Sequence, residues 1–494
     1  MKSLGLGSFL WMGAFAALAL PTHALNTQPP TFPAEGAWTS GNYRNLFVER
    51  GYTQSATDSK VNSAFNKLFF GDSANEAIYR VLPEDTTMAF IEAVDSKDIR
   101  TEGVSYGMTI AVMMDRRDVF DKLWKFAKTK MQNTKGSAKG YFAWQVSSTS
   151  PYKVMDPNPA PDGEEYLVTS LFLASKRWGN GTGIFQYQNQ ADSLLTVMIT
   201  PHGSLTPLID TVEKKVVFSP ATSPTYTDPS YHLPAFYRLW SAFSSHHNAL
   251  WREMADTSYA FLARTAHPTT GLAPEYAAFD GTAQETDFNA NSAFFAGDAH
   301  RVGMNIGVDW SWFKGSANDT ALNMRMLKFF ASQTPNYYSV YTLSGTAQVT
   351  YLSQSLIAAN GVAFLASNRA SDWTFVDRLW STPISTGEWR YYNGLVQMLS
   401  LLHASGKFKA YGSPGTPTSP ASIQPQATRS LHLRQSGRDI LVPASENASL
   451  LSLEGRRVLN ASTTNAGTTT LRAPQAGIWI VRGHDGASAK ITVP

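Results

Sequence analysis

Between Asn42 and about Lys409 the chain repeats one pattern, apolar residues at three- and four-residue spacing broken by loops rich in Gly, Pro and Asp. VNSAFNKLFF, YGMTIAVMM, VFDKLWKFAKTKM, EYLVTSLFLASKRW, LPAFYRLWSAF, NALWREMADTSYAFLARTA, DAHRVGMNIGVDWSWF, ALNMRMLKFFASQ, SQSLIAANGVAFLAS, DRLWS and YYNGLVQMLSLLHASG carry the apolar stripe of a helix. About a dozen helices fit into roughly 370 residues. Strand-like alternation is nearly missing there, apart from pieces such as KKVVFS at 214–219, so the economical architecture is all-α, built from helix pairs. No short repeat of the solenoid kind is present.

The pattern changes at both ends. Residues 1–24 combine Lys2, an apolar run from Leu4 to Leu20, and small residues Thr22 and Ala24. These are the parts of a secretory signal cut after Ala24, and they predict a secreted or periplasmic protein. Residues 25–40 begin Pro-rich and predict an extended lead-in. At 411–430 Pro, Ser, Thr and Gly replace large apolar residues, as in an interdomain linker. From 431 to 494 come short alternating runs, RDILVP, ASLLSLEG, RRVLN, TTTLRAP, GIWIVRG and AKITVP, which predict a small antiparallel β-sandwich. Its single Trp, Trp479, lies in a strand and reads as core.

Composition adds exclusions. The 494 residues are 43% hydrophobic and 12% aromatic, enough for a large core. With 41 basic and 38 acidic residues the charge is +3, which points to no nucleic-acid partner and, after signal removal, no membrane partner. Cysteine is absent, so disulfides, thiolate metal sites and a cysteine nucleophile are excluded. The adjacent His246 and His247 lack ligand spacing, so no metal is expected, and no G-x-S-x-G supports serine hydrolysis. No cofactor is expected, and the protein reads as a monomer.

Three carboxylates carry the candidate chemistry. Glu102 heads a helix in TEGVSYGM, with Thr101 as a possible N-cap and Gly103 and Gly107 leaving room for close approach. Read alone, it is a helix-start residue whose proton the helix dipole would draw off. To act as an acid it needs apolar walls or a neighbouring carboxylate. Asp162 opens an acidic helix start in NPAPDGEEYLV, and Asp298 precedes Arg301 by three residues in FFAGDAHRVGMNIGVDW. Each has a bland reading as a cap or a surface pair, although the apolar flanks of Asp298 suit a cleft better than a solvated face.

Together these motifs resemble glycoside hydrolase family 8: an acid motif T/S-E-G-x-S-Y-G-M, an acidic helix start ending in R/K-x-W-G, and a D-x-x-R-V base motif. TDPSYHLPAFYRLW at 227–240 and EWRYYNGLVQMLSLL at 388–402 extend the resemblance over roughly 40–410. It implies an (α/α)6 barrel for residues 41–410 and inverting hydrolysis of β-1,4-linked glycans. By matching motif, Glu102 would be the general acid and Asp298 the general base. Asp162 would bind and distort the sugar at the cleavage point and help Glu102 keep its proton. An inverting pair needs room for water, about 6.5–9.5 Å between carboxyls.

Sugar-binding candidates are Trp144, the strongest platform, Arg301 as partner of Asp298, and Tyr106, Tyr226, Tyr231, Phe295, Trp389, Tyr391 and Tyr392. Asp298 in GDAHRV resembles the cellulase and xylanase branch, and DGEEYL resembles its xylan-active members, so xylan or xylo-oligosaccharide is the expected substrate. Some xylan-active relatives release reducing-end xylose, using a loop histidine that blocks the cleft. The stretch 336–354 contains no histidine, which tilts the expectation to an endo-β-1,4-xylanase; exo-oligoxylanase and β-1,4-glucanase action are the alternatives. The rivals from other classes are a non-catalytic glycan-binding protein and a polysaccharide lyase.

Overall fold

The computed structural model describes residues 24–416 except 204, 222 and 223, then 433–443, 449–451, 463–465, 468–482 and 488–493. The expected signal peptide lies outside the described residues up to position 23, as does the expected linker from 417 onward. The chain divides into two compact units after Thr418.

Among the described residues of the first unit are twelve helices of nine or more residues. They are α1 (Gln54–Phe70), α2 (Thr101–Met113), α3 (Arg117–Phe126), α4 (Pro161–Trp178), α5 (Tyr187–Met198) and α6 (Pro234–Phe243), followed by α7 (Asn248–Thr265), α8 (His300–Phe313), α9 (Ala317–Ser332), α10 (Gln354–Ala363), α11 (Trp373–Ser381) and α12 (Arg390–Ala404). The even-numbered helices form a closed ring, α2 beside α4, then α6, α8, α10 and α12, which returns to α2, and each packs on an odd-numbered partner. This arrangement is helix-rich and consistent with an (α/α)6 barrel.

Burial follows the ring. In α2 every residue except Glu102 is buried, and in α4 burial is continuous from Pro161 to Ala174. A helix buried all round belongs to an inner layer, which explains why YGMTIAVMM and EYLVTSLFLA read as nearly uniform apolar runs. Helix α5, YQNQADSLLTVM, goes unpredicted because its buried positions, Tyr187, Ala191, Leu194, Leu195 and Met198, are diluted by Gln and Asn.

Two expectations at the edges need correction. The lead-in is not only extended: Ala37–Ser40 forms a helical turn, and Trp373 Nε1 donates to the Gln28 carbonyl at 2.8 Å, so ordered packing begins before Asn42. Residues 411–416 are packed, with Gly415 N bonded to Trp38 O at 3.0 Å and Thr416 Oγ1 donating to Tyr43 Oη at 3.3 Å. Strands are also more frequent than the alternation suggested. Besides Lys215–Val216, paired with Ile209–Asp210, there is a three-stranded sheet of Asp98–Arg100, Gln145–Ser147 and Val154–Asp156.

Among its described residues the second unit contains a four-stranded and a three-stranded antiparallel sheet. Ile440, Val442 and Leu471 share one apolar cluster with Leu450, Trp479, Val481 and Val493. Trp479 is in that core, its indole N–H donating to the Gln475 carbonyl at 3.1 Å.

Candidate active site

The small three-stranded sheet aims two of the three carboxylates. Arg100 pairs with Gln145 across the sheet, and the chain passes directly from Arg100 into α2. The third strand, Val154–Asp156, leads into the loop before Asp162. Thr101 is not the N-cap: Arg100 holds that position, and the Thr101 N–H donates to the Trp144 carbonyl at 3.0 Å. Nor does the space at Gly103 and Gly107 admit a sugar. A Cβ at 103 would lie 2.6 Å from Tyr391 Cε2, and one at 107 would lie 2.8 Å from Ile91 Cγ1. These glycines let neighbouring side chains press on α2.

Asp298 sits in the turn Gly297–Ala299 just ahead of α8, whose first turn carries Arg301. Arg301 is buried and gathers all three carboxylates. Its Nη1 lies 2.8 Å from Asp162 Oδ2 and 3.7 Å from Glu102 Oε2, while Nη2 lies 3.0 Å from Asp298 Oδ1. Glu102 and Asp298 thus flank opposite terminal nitrogens of one guanidinium. Arg301 also donates to the Tyr106 hydroxyl and to Ser230 Oγ at 3.1 Å, and Tyr392 Oη donates to Asp298 Oδ1 at 2.9 Å.

The electrostatics follow from this packing. Burial first, then the charges of Asp162 and Asp298, push Glu102 up to about 8, with Arg301 and Arg100 opposing. These effects outweigh the helix dipole, and a carboxyl in this state is protonated at neutral pH. Burial also raises Asp162, against the pull of Arg301 and the Gly163 N–H. The neighbouring acids serve the scaffold. Glu164, raised by burial to about 8, accepts from the Phe142 N–H at 2.7 Å, and Glu165, held well above the usual carboxylate range by burial, accepts from Tyr237 Oη at 2.6 Å.

The aromatic candidates separate into three groups. Trp144 is half-buried, with the Arg100 guanidinium 5.8 Å from its ring, and Trp389 is 65% exposed. Tyr391 and Tyr392 line the floor beside Glu102 and Asp298. Tyr226 and Tyr231 belong to a ladder of rings in which Phe218 stacks on both, and Tyr276 and Phe288 continue it. Two candidates are corrected. Phe295 is core, packed on His300 and Phe330, and Tyr106 is sealed beneath Arg301, where its hydroxyl rather than its ring face is used. Each follows an apolar or helical context that buries the ring.

The sequence reading missed Arg100, Ser230, Asp228, Glu275 and Phe218. Asp228 is buried and accepts from the Ser230 N–H at 2.7 Å, fixing the turn that brings Ser230 to Arg301. Glu275 is held up at about 7 by burial and by Asp298. Only Asp228, inside TDPSYHLPAFYRLW, had a usable signal, an Asp directly before Pro. Among the described residues no His, Cys, Asp and Glu grouping could hold a metal, and no helix is long and apolar enough to cross a membrane.

Known proteins share this chain's pattern at length. The family model described as Glycosyl hydrolases family 8 matches residues 88–406. The chain is 35% identical over 382 residues to a reducing-end xylose-releasing exo-oligoxylanase of Paenibacillus barcinonensis, covering 76% of this chain and 99% of the relative. A protein of the same description from Halalkalibacterium halodurans is 37% identical over 388 residues, covering 77% and 97%. A solved structure described as a GH8 xylobiose complex from Teredinibacter turnerae superposes with a TM-score of 0.73 at 37% identity, over 76% of this chain and all of that one. On this evidence the chain is a glycoside hydrolase and belongs to glycosyl hydrolases family 8.

Proposed function

We propose that the protein hydrolyses β-1,4-xylosidic bonds in xylo-oligosaccharides with inversion, releasing xylose from the reducing end. The observation that carries the chemistry is Glu102, held protonated near neutrality, facing Asp298 across the Arg301 guanidinium. In this reading Glu102 gives its proton to the glycosidic oxygen as the C1–O bond breaks. Water attacks C1 from the opposite face, Asp298 accepts its proton, the reducing-end xylose departs as the leaving group, and the remaining oligosaccharide carries the new α-anomeric end. Asp162, tied to Arg301, keeps negative charge near the oxocarbenium-like centre and opposes ionisation of Glu102.

The exo reading is supported by three relatives at 33–37% identity that share that description, and it displaces the endo expectation drawn from the sequence. Endo cleavage stays the second reading on one observation. The stretch 336–354 has no histidine, and the cleft it borders is lined by Ser339, Ser353 and the exposed Tyr351 and Trp389. A relative from Teredinibacter turnerae is described as a xylanase in a xylohexaose complex. We read the C-terminal sheets as a small β-sandwich and the N-terminus as an export signal, giving a secreted or periplasmic monomer.

The test is xylohexaose labelled at its reducing end, with products resolved over time and anomers followed by NMR. Labelled xylose appearing first, with the complementary unlabelled xylopentaose formed as the α-anomer, supports the proposal. A spread of internal products transfers the reading to endo cleavage, and xylopentaose formed first as the β-anomer overturns inversion.

A further inference from the structure

Arg100 joins two parts of the cleft that chain order keeps apart. Its guanidinium carbon lies 5.8 Å from the ring centroid of Trp144 and 5.8 Å from that of Tyr391, within reach of cation–π attraction on both. Behind it, Nε donates to Asp98 Oδ1 at 3.1 Å and Nη2 to Ser96 Oγ at 2.8 Å. Asp98 is itself buried and accepts from the Gln145 side chain, next to Trp144. Hydrogen bonds therefore fix the guanidinium on one side while two rings contact it on others.

Both rings bear on the reaction. The carbonyl of Trp144 holds the first N–H of α2, and Tyr391 rests on Gly103, the residue next to Glu102. We propose that Arg100 is a positioning residue that orients Trp144 for sugar stacking and, through Tyr391 and its own charge, sets the environment of Glu102. This rests on the reading of Glu102 as the acid. The guanidinium matters for its flat shape as well as its charge, because an ammonium cannot lie against two rings and keep the bonds to Asp98 and Ser96.

Shape and charge predict separable effects. The groups facing Glu102 are Asp162 and Asp298, which favour its proton, Arg301 and Arg100, which oppose it, and the Tyr391 hydroxyl. Deleting Arg100 removes one opposing cation, so Glu102 should keep its proton to higher pH.

The experiment compares Arg100→Met and Arg100→Lys on xylotetraose, with Glu102→Gln in parallel. Arg100→Met should raise KM about tenfold and move the basic limb of kcat/KM upward by about half a pH unit or more. Arg100→Lys should raise KM similarly and leave the limb at its wild-type position, because the charge remains. Wild-type KM in both variants, a limb that stays or moves down in Arg100→Met, or equal limb shifts in both overturns the proposal. Should Arg100→Met not fold, the lysine variant decides: raised KM with a wild-type limb supports it, and wild-type KM overturns it. Full activity in Glu102→Gln would instead overturn the acid assignment, so the two failures are distinguishable.

Discussion

Helix α8 has a carboxyl cluster at each end, and the two are built alike. At the N-terminal end Asp298, Glu102 and Asp162 surround Arg301, with Tyr106 and Tyr392 bonded in. At the C-terminal end Asp309 accepts from Tyr259 Oη at 2.9 Å and lies 3.9 Å from Arg238 Nε. Asp319 lies close enough for its carboxyl to feel the Asp309 charge. Burial raises Asp309 to about 6, and burial with the Asp309 charge raises Asp319 to about 8, as high as Glu102.

The difference is access. The Asp309 side chain is fully buried, and Gly315 closes on it so tightly that a Cβ there would meet Asp309 Oδ2. Asp319 is consumed in a capping box with Ser316 at the start of α9. Glu102 keeps 15% of its side chain open and Asp298 28%. A displaced carboxyl therefore marks burial of charge, and only the cluster that also opens on a cleft can meet a substrate.

The comparison breaks most sharply at the carboxyls themselves. Glu102→Gln and Asp298→Asn should each lower kcat on xylotetraose about a thousandfold, whereas Asp309→Asn should stay within about twofold. Comparable loss in all three would show that access is not what separates the clusters. Next comes Gly103→Ala, which drives a methyl into Tyr391 and should cost about tenfold to a hundredfold in kcat through misplacement of Glu102.

The pH dependence sharpens it further. Activity should fall as pH rises through about 8, where Glu102 loses its proton. Stability responds at both ends of α8. A carboxyl raised on folding binds more protons folded than unfolded between about 4 and its folded value, so the stability present at low pH is lost as pH climbs through about 8. Melting curves at pH 5 and 8.5 should show Glu102→Gln and Asp319→Asn gaining on wild type at the higher pH, by a few °C. Unchanged differences at the two pH values would contradict the raised states. The smallest effect is expected at the far end of the ring ladder. Phe288→Ala should raise KM for xylohexaose about threefold and leave xylotriose unchanged, because only the longer chain reaches an exposed ring.

Legibility tracked locality. Eleven of the twelve helices were readable because an apolar stripe is a local pattern, and α5 was lost where Gln and Asn dilute it. Glu102, Asp162, Asp298 and Arg301 were legible as motifs, and the structure brings all four together. Arg100, Glu275 and Phe218 were not, since each acquires its contact from a segment distant in the chain. The distant aromatic candidates divided for the same reason: Phe295 and Trp389 look alike in sequence, yet one is 1% and the other 65% exposed.

By itself the sequence determined the helical segments, the composition break after 410 and the motifs that carry the three candidate carboxylates, because periodicity and residue type are written along the chain. What only the tertiary structure decided is the state of Glu102. At the head of an isolated helix the dipole would strip its proton, whereas in the closed ring burial, Asp162 and Asp298 keep it on. Desolvation and charge proximity are properties of space, and α2, α4 and α8 meet only when the ring closes.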